Sequence, residues 1–165
     1  MDAITLKRIE QAHPKFRDKM REDYIAANNL LGKGVRLRFA YVYRSPAEQT
    51  ALYNQRPKVT NAKAWQSIHN YALAFDIVLL YDKNGDGVFE TVSWDMVKDG
   101  DNDKQADWME VTNYFISQGW ESGAKWKNFK DFPHFQIPGY SWQTLKAKID
   151  KGDTITENGI VYPKL

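Results

Sequence analysis

A histidine and an aspartate seven positions apart, His69 and Asp76, are the residues of this chain whose types and spacing point most directly to chemistry. Two ligands of one metal ion must each place a donor atom about 2.0–2.2 Å from it. An unbroken helix over seven residues separates the two Cα atoms by roughly 10 Å, and a straight strand points positions 69 and 76 to opposite faces. The two side chains can therefore share an ion only if the backbone bends between them.

The sequence around this pair allows such a bend. Residues 66–71 are polar and typical of a turn, whereas residues 73–80 form an apolar run, typical of a strand, that only Asp76 interrupts. Buried charges are rare unless they are paired or bound to metal, so a carboxylate inside a core strand needs a partner. A structural Asp76, satisfied by backbone amides or by an arginine, is the alternative that this stretch alone leaves open.

A second histidine and carboxylate, His134 and Asp131, lie three positions apart further along the chain. Together with His69 and Asp76, His134 would complete three protein ligands and leave a fourth position for water, which is the arrangement of a catalytic zinc ion. Asp131 would then serve as general base, and Arg44 would balance the charge of an oxyanion. The chemistry indicated is metal-assisted hydrolysis.

Composition restricts the possible ligands and the class of protein. The chain has no cysteine, so disulfides and thiolate metal sites are excluded and any metal must be held by His, Asp or Glu. Its 165 residues, with 42% hydrophobic and 27% charged side chains, predict one globular domain, and a formal charge of +2 gives no argument for nucleic acid. We find no signal peptide and no membrane-spanning stretch, which predicts synthesis in the cytoplasm.

The positions of the elements follow from capping signals and periodicity. Ser45, Pro46 and Glu48 form a capping box that starts a helix. Arg44 lies just ahead of this helix, where its side chain either faces a cleft or forms an ion pair on the surface. Ala-, Leu- and aromatic-rich stretches elsewhere complete the prediction. We predict helices over 2–11, from Pro14 onward, over 46–55, 103–118 and 141–151, strands over 35–42, 73–81, 88–92 and 134–137, and a hairpin over 154–162.

Two acidic segments follow the 73–81 strand. Asp82, Asn84 and Asp86 occupy positions one, three and five of a calcium loop, but Ser93 stands at position twelve, where a bidentate glutamate is needed. A tight turn explains the same residues more simply, and Ca²⁺ at Asp82, Asn84 and Asp86 is kept as a secondary prediction. The second segment, with carboxylates at 99, 101 and 103, is interpreted as a solvated loop, with weak divalent binding left open.

The pattern Ser67-x-His69-x6-Asp76, followed by Asp131-x-x-His134, resembles that of a known family of zinc peptidases. The family comprises D-Ala-D-Ala carboxypeptidases and L-alanyl-D-glutamate endopeptidases of peptidoglycan (peptidase family M15), with the pattern S-x-H-x-x-G-x-A-x-D and then D/E-x-x-H. Phage endolysins and related bacterial wall hydrolases are the most similar members. Further matching segments are His13-Pro14, Tyr43-Arg44-Ser45, Glu48-Gln49, 59–62 and 130–135.

The resemblance implies an α+β fold: a single compact domain over 1–165, in which a small antiparallel sheet carries one Zn²⁺ and helices pack around it. It implies metal ligands, a catalytic acid/base, a residue that contacts the substrate or the oxyanion, and a substrate-binding wall. By this resemblance the metal ligands are His69, Asp76 and His134, and the catalytic acid/base is Asp131. Arg44 contacts the substrate or the oxyanion, and Ser67, Gln49 and Trp126 bind the substrate. The chain departs from the pattern at Ala72, where the family has glycine, and at Ser122, in a segment where the family has Trp-Gly-Gly.

The resemblance implies hydrolysis of peptidoglycan stem peptides, most directly at the L-Ala–D-Glu bond. A D-alanyl-D-alanine carboxypeptidase is the alternative within the class. A catalytically impaired, zinc-stabilised wall-binding module is the alternative of another class, motivated by Ala72 and Ser122, and a metal-free α+β domain is the simplest one. The expected protein is a monomer without a separate wall-binding domain, nucleic-acid partner or stable membrane insertion. We expect it to act on the wall after release from a phage-infected host or a lysing cell.

Overall fold

An antiparallel sheet with helices packed on one face positions the candidate residues. The computed structural model describes residues 1–165. In chain order, the elements are α1 (Ala3–Ile9), α2 (Arg17–Leu30), β1 (Val35–Tyr41), α3 (Pro46–Asn54), β2 (Ala74–Tyr81), β3 (Thr91–Ser93), α4 (Asp107–Ser117), β4 (Glu121–Ser122), β5 (His134–Gln136), α5 (Trp142–Asp150), β6 (Thr154–Glu157) and β7 (Ile160–Pro163). This arrangement confirms the predicted α+β class.

Strand β2 is the centre of the main sheet. It pairs with β1 along one edge and with both β5 and β3 along the other, while β4 extends the sheet beyond β5, and all of these pairings are antiparallel. Strands β6 and β7 form a separate hairpin. The register places Asp76 of β2 directly opposite His134 of β5, so the sheet itself brings together two candidate residues that are far apart in sequence.

Aromatic side chains fill the space between this sheet and the helices. Phe39, Phe75 and Phe135 lie on three neighbouring strands; the rings of Phe39 and Phe75 are stacked with centroids 4.1 Å apart, and those of Phe75 and Phe135 are 5.3 Å apart. Phe115 of α4 packs edge-on against Phe75 at 4.9 Å. Because successive side chains of a strand point to opposite faces, Asp76, next to Phe75, points away from this core.

The N-terminus is fastened to the sheet by Asp2. Its carboxylate caps α1 by accepting a hydrogen bond from the Thr5 backbone N–H at 3.0 Å, and Nη2 of Arg38 in β1 lies 2.8 Å from Oδ1. The backbone N–H of Asp2 donates to the Tyr24 hydroxyl at 2.8 Å. This one residue therefore connects α1, α2 and β1, and it confirms the predicted cap.

Several predicted boundaries are also confirmed. The capping box of α3 is present in both directions, with the Ser45 side chain accepting from the Glu48 N–H and the Glu48 side chain accepting from the Ser45 N–H. The last hairpin turns at Asn158 and Gly159, which adopt φ values of 51° and 77°, as a two-residue hairpin turn requires. Strand β1 alternates buried and half-buried residues as predicted.

Three predicted boundaries are wrong for identifiable reasons. Helix α2 begins at Arg17 rather than at Pro14, because His13 donates its backbone N–H to the Ala72 carbonyl and the chain turns before the helix. Helix α4 begins at Asp107 rather than at 103, because carboxylates within residues 99–103 accept the backbone N–H groups that would start it. The β2–β3 connection spans 82–90 and is not a tight turn.

The helices of the structure are short, and none combines the length and the apolar character needed to cross a bilayer.

Candidate active site

His69 lies on a bend of the kind that the sequence requires. It belongs to a single 3-10 turn, Ile68–Tyr71, and its backbone N–H donates to the Ser67 hydroxyl at 3.3 Å. Ala72 ends the turn in the left-handed conformation, with φ 58° and ψ 33°, and β2 begins two residues later. The reversal at Ala72 turns the His69 side chain back toward Asp76, which confirms that the chain bends between them.

Three potential metal donors meet at this point. His69 Nε2 lies 3.0 Å from Asp76 Oδ1, and His134 Nδ1 lies 3.1 Å from the same oxygen. The three donor atoms lie within 4.8 Å of one another. Both histidines are almost completely buried, with 2% and 5% of their surface exposed, whereas the Asp76 side chain is 19% exposed. The group therefore sits at the bottom of a recess that solvent can reach from one side.

The hydrogen bonds of the two imidazoles decide whether these donors suit a cation. His69 Nδ1 lies 2.8 Å from the Val42 carbonyl oxygen, and His134 Nε2 lies 2.8 Å from Gln136 Oε1. Both partners can only accept, so both of these ring nitrogens carry the hydrogen and donate. His69 Nε2 and His134 Nδ1 are left with lone pairs that face the Asp76 carboxylate. Two imidazole nitrogens and one carboxylate oxygen that converge as acceptors form a site that fits a divalent metal ion such as zinc.

The pKa values reflect the same convergence. Burial alone would raise the pKa of Asp76, but the adjacent His69 and His134 hold it well below its ordinary value. Burial alone would lower the pKa of His134, yet the contact with the Asp76 carboxylate raises it above its ordinary value. The surroundings therefore favour a cation next to the Asp76 carboxylate, whether a proton on His134 or a bound metal ion.

Arg44 lies beside the three potential metal donors, and contacts on its far side fix its side chain. Its Nη1 donates to Gln49 Oε1 at 3.2 Å, and its Nη2 lies 3.8 Å from Asp76 Oδ2. The guanidinium stacks over the Tyr41 ring at 4.8 Å, and its Nε is buried without a hydrogen-bond partner. Gln49 is fully buried and donates to the Ala62 carbonyl at 2.8 Å. Gln49 thus lies beneath Arg44 and positions it, and its predicted contact with the substrate stays a prediction.

Asp131 lies at the rim of the recess, on the loop that leads into β5. Its backbone N–H donates to the Gly123 carbonyl at 3.0 Å, and its own carbonyl accepts from the His134 N–H at 3.2 Å. Gly123 is required here, because a Cβ at this position would lie 2.3 Å from the Asp131 carbonyl oxygen. Desolvation by the surrounding protein and the negative charge of Asp76 raise the pKa of Asp131.

The recess opens into a cleft of about 430 Å³. Ser67 and Trp126 lie on its wall as predicted, together with Arg44, Asp131 and the three metal-donor residues. The Trp126 ring lies 5.1 Å from the His134 ring, and its Nε1 donates to Glu121 Oε1 at 2.8 Å. An aromatic wall is therefore present next to the donors, although it does not come from the Trp-Gly-Gly position of the family pattern.

Three groups that shape the site were not identified from the sequence. The role of Gln136 could have been predicted, because a residue two positions after His134 in a strand lies on the same face of β5 as His134. Gly123 gave only a weak signal, since a glycine can serve many purposes. The Val42 contact uses a backbone carbonyl, which no side-chain pattern reveals.

Comparisons with known proteins agree with this geometry. The family model described as D-alanyl-D-alanine carboxypeptidase, of peptidase M15 type, matches residues 60–137. Residues 60–137, a little under half of the chain, thus resemble a peptidase M15 domain. The matched residues include His69, Asp76, Asp131 and His134. The family that the sequence pattern resembles is therefore confirmed.

Two individual proteins are similar to this chain, one in sequence and one in fold. The chain is 39% identical over 110 residues to the peptidoglycan L-alanyl-D-glutamate endopeptidase CwlK of Bacillus subtilis (strain 168), an alignment that covers 64% of this chain and 62% of that protein. The chain thus spans less than two thirds of that relative's length. The crystal structure of the L-Ala D-Glu endopeptidase ChiX of Serratia marcescens matches the fold with a TM-score of 0.56 at 19% identity, over 83% of this chain and 88% of that chain.

Proposed function

We propose that this chain is a zinc-dependent peptidase that hydrolyses the stem peptide of peptidoglycan, most directly at the L-Ala–D-Glu bond. The observation that carries the proposal is the convergence of two imidazole lone pairs and one carboxylate at the base of a cleft that also exposes Asp131 and Arg44. The M15 family match and the similarity to two L-alanyl-D-glutamate endopeptidases support the substrate. That residues 1–165 form one peptidase domain is part of the proposal.

His69, Asp76 and His134 would hold the metal through Nε2, Oδ1 and Nδ1. The Val42 carbonyl and Gln136 fix the tautomers that make these nitrogens available, as outer hydrogen bonds do in metal sites. Zinc bound there supplies Lewis-acid polarisation of the scissile carbonyl. The relatives give no support for Ca²⁺ at Asp82, Asn84 and Asp86, and it is not part of this proposal.

Asp131 performs the proton transfers. Its carboxylate removes a proton from the attacking water as the new C–O bond forms, and then returns the proton to the amine nitrogen as the C–N bond breaks. A raised pKa suits this double role, because a carboxylate whose pKa lies closer to neutrality is both a better base and a usable acid. The loop contact with Gly123 fixes the distance of Asp131 from the donors.

Arg44 stabilises the oxyanion and orients the substrate. Gln49 and the Tyr41 ring hold its guanidinium in place. The donor is therefore already positioned where negative charge develops on the carbonyl oxygen and does not need to reorient during the reaction. Ser67 and Trp126 contact the peptide on the cleft wall, and Gln49 contributes through Arg44. A monomeric enzyme that acts on the wall after cell lysis is the remaining part of the proposal.

A D,D-carboxypeptidase is the second candidate, because the matching family model carries that description. Mass spectrometry of digested sacculi separates the two activities: an endopeptidase releases new D-Glu amine ends, whereas a carboxypeptidase removes a single D-Ala. We expect the first product from the zinc-loaded protein.

Three variants test the assignment of the site in the same digestion. We expect Asp131→Asn to keep one equivalent of zinc and to lose about 10²–10⁴-fold in kcat, and we expect His134→Ala to lose the metal. Asp86→Asn, an exposed residue outside the cleft, should match the unmodified protein. Sacculi that yield no new amine ends, or that bind the zinc-loaded protein without being cut, would refute the enzyme and favour a wall-binding module.

A further inference from the structure

A second set of oxygen donors lies in residues 99–110, next to Tyr81 at the end of β2 and away from Asp76 along that strand. Acidic side chains occupy positions 1, 3, 5, 9 and 12 of this twelve-residue segment, namely Asp99, Asp101, Asp103, Asp107 and Glu110. These are the positions from which a helix-loop-helix calcium loop draws its side-chain ligands, with a bidentate glutamate at position 12. Position 12 falls in the first turn of α4, as the exit helix of such a loop requires.

The decisive observation is the state of Asp107, which is fully buried. Its Oδ2 accepts hydrogen bonds from the Tyr81 hydroxyl at 2.6 Å and from the Gly100 N–H at 2.8 Å, whereas its Oδ1 is buried without any partner. Carboxylate oxygens of Asp107, Asp99 and Asp101 lie within 4.8 Å of one another. A buried oxygen without a donor is costly unless a cation satisfies it.

Glu110, a half-buried residue at the other end of the segment, also has an oxygen without a partner. Its Oε2 is buried without a partner, and one of its oxygens lies within 4.8 Å of carboxylate oxygens of Asp101 and Asp103. No ion pair of the structure involves a carboxylate of residues 99–110. The mutual repulsion of five acidic groups is thus uncompensated by any lysine or arginine.

The backbone has the course that such a loop needs. Lys104, at position 6, adopts φ 77°, where the standard loop has an invariant glycine for its sharp turn. The Asp99 carboxylate accepts the backbone N–H groups of Asp103 at 3.2 Å and of Lys104 at 3.0 Å, which folds the segment around its first ligand. Gly100 is fixed by packing, because a Cβ there would lie 2.3 Å from the Tyr81 ring.

We propose that residues 99–110 form a calcium site, with ligands from Asp99, Asp101, Asp103, Asp107 and Glu110 and from the backbone carbonyl of Gln105 at position 7. The interpretation of this segment as a solvated loop is thereby replaced. Calcium is favoured over magnesium because the donor set offers more than six oxygens, whereas magnesium demands strict octahedral geometry and keeps several waters.

The site joins three elements of the core. Asp107 begins α4, Tyr81 ends β2, and Asp101 Oδ2 accepts the Gly32 N–H at 2.6 Å, just after α2. A cation that bridges these residues fastens α4 and α2 to the sheet. The consequence is a calcium-dependent gain in stability, which is separate from the cleft and does not depend on the proposed function.

Segment 82–93 provides a built-in comparison. Asp82, Asn84 and Asp86 start a similar pattern, and Asp82 accepts backbone N–H groups much as Asp99 does, but Ser93 stands at position 12, where the bidentate glutamate is needed. Both Asp86 and Asn84 are exposed. This segment offers no buried, unpartnered oxygen and serves as the control.

The test uses the zinc-loaded full chain in buffer freed of calcium over a chelating resin, with one equivalent of zinc restored. We expect calorimetric titration with CaCl2 to show one site, and the melting temperature to rise by roughly 5–10 °C at a calcium concentration one hundred times Kd. Tb³⁺ bound in the loop should be sensitised by excitation of Trp108, the neighbour of Asp107. MgCl2 should give a much smaller shift.

Two variants with one control make the test specific. We expect Glu110→Gln and Asp103→Asn each to weaken calcium binding by at least about tenfold, because the loop loses its bidentate or its position-5 ligand. Asp86→Asn should leave both the affinity and the melting shift unchanged. Absence of binding at millimolar calcium, equal shifts with magnesium, full binding by both loop variants, or loss of binding in Asp86→Asn would each overturn the proposal.

Discussion

Ala72 combines an unfavourable left-handed backbone conformation with favourable burial of its methyl group. Its left-handed backbone, with φ 58°, costs a non-glycine residue about 1–2 kcal/mol. Its methyl group is fully buried against Ile160 and Tyr162 of the C-terminal hairpin, and burial of one such group is worth about 0.8 kcal/mol. Since glycine would relieve the strain but lose the packing, alanine at the family's glycine position is nearly neutral for stability.

Substitutions at Ala72 should therefore be strongly asymmetric. We predict that Ala72→Gly changes the free energy of unfolding by less than about 1 kcal/mol, whereas Ala72→Val lowers it by about 3 kcal/mol through overpacking and a positive φ at a β-branched residue. Urea denaturation measures both changes. Ala51→Val, at an exposed position of α3, is the control, and equal losses in the two valine variants would contradict the argument.

At this scale, residue types and spacing were sufficient to predict the convergence of His69, Asp76 and His134. They were not sufficient to predict what holds the imidazoles. The Val42 partner of His69 is a backbone carbonyl, and the buried Gln49 looks from the sequence like any other polar residue near a cleft. Orientation of ligands depends on tertiary contacts that residue identity does not encode.

The loop between Gly123 and Pro133 positions Asp131, the proposed acid/base. It has little regular structure, and its position depends on the backbone contact of Asp131 with Gly123 and on the entry of His134 into β5. Because Gly123 has no room for a side chain, the loop and the 3-10 turn at Gly123–Lys125 touch through their backbones. A small change at this contact moves Asp131 without touching a metal donor.

We predict that Gly123→Ala lowers kcat/KM by about 100-fold, because a displacement of about 1 Å of a catalytic group has costs of that size. Zinc content, measured by atomic emission, should stay at one equivalent, since the three donors lie on other backbone positions. Lys125→Ala, an exposed change in the same turn, should leave kcat/KM intact. An unchanged rate for Gly123→Ala would show that the loop absorbs the extra carbon.

Element boundaries were predictable where a local signal was complete and wrong where side chains from outside the element intervened. The capping box of α3 and the Asn158-Gly159 turn contain all of their own determinants. The start of α4 does not, because aspartates four to eight residues upstream of Asp107 accept the backbone N–H groups that a helix beginning at 103 would use. The order of the strands was likewise beyond the sequence, since pairing of β2 with β5 is a long-range contact.

For the whole molecule, the Asp2 connection between both N-terminal helices and β1 is a main source of pH dependence. Burial alone would raise the pKa of Asp2, but the Arg38 guanidinium and the hydrogen bonds from Thr5 outweigh it and lower the pKa below its ordinary value of 3.8. A carboxyl whose pKa is lower in the folded state stabilises the fold above its unfolded-state pKa. That stabilisation is lost as the pH falls through the folded-state pKa.

We predict that Asp2→Asn lowers the free energy of unfolding by about 2 kcal/mol at neutral pH, because it leaves the Arg38 charge without its buried partner. The difference from the unmodified protein should shrink below about pH 4, as the native carboxyl itself becomes protonated. Urea unfolding at pH 7, 5 and 3 measures this. Asp18→Asn, whose carboxylate is 87% exposed, should show no such pH-dependent difference, and a constant difference for Asp2→Asn would contradict the assignment.

The potential metal donors lie on the sheet and the turn next to it, whereas loops form the cleft wall, and this separation has a consequence for engineering. Asp76 and His134 are paired across two strands of the sheet, and His69 lies on the turn that leads into it, whereas the cleft wall is contributed by the irregular segments around 59–68 and 126–131. We expect those segments, with Ser67, Trp126 and Asp131 retained, to tolerate exchange for the corresponding segments of similar proteins while the strand register that aligns Asp76 with His134 is kept. Under the function proposed above, loop grafting of this kind should change which peptide is cleaved.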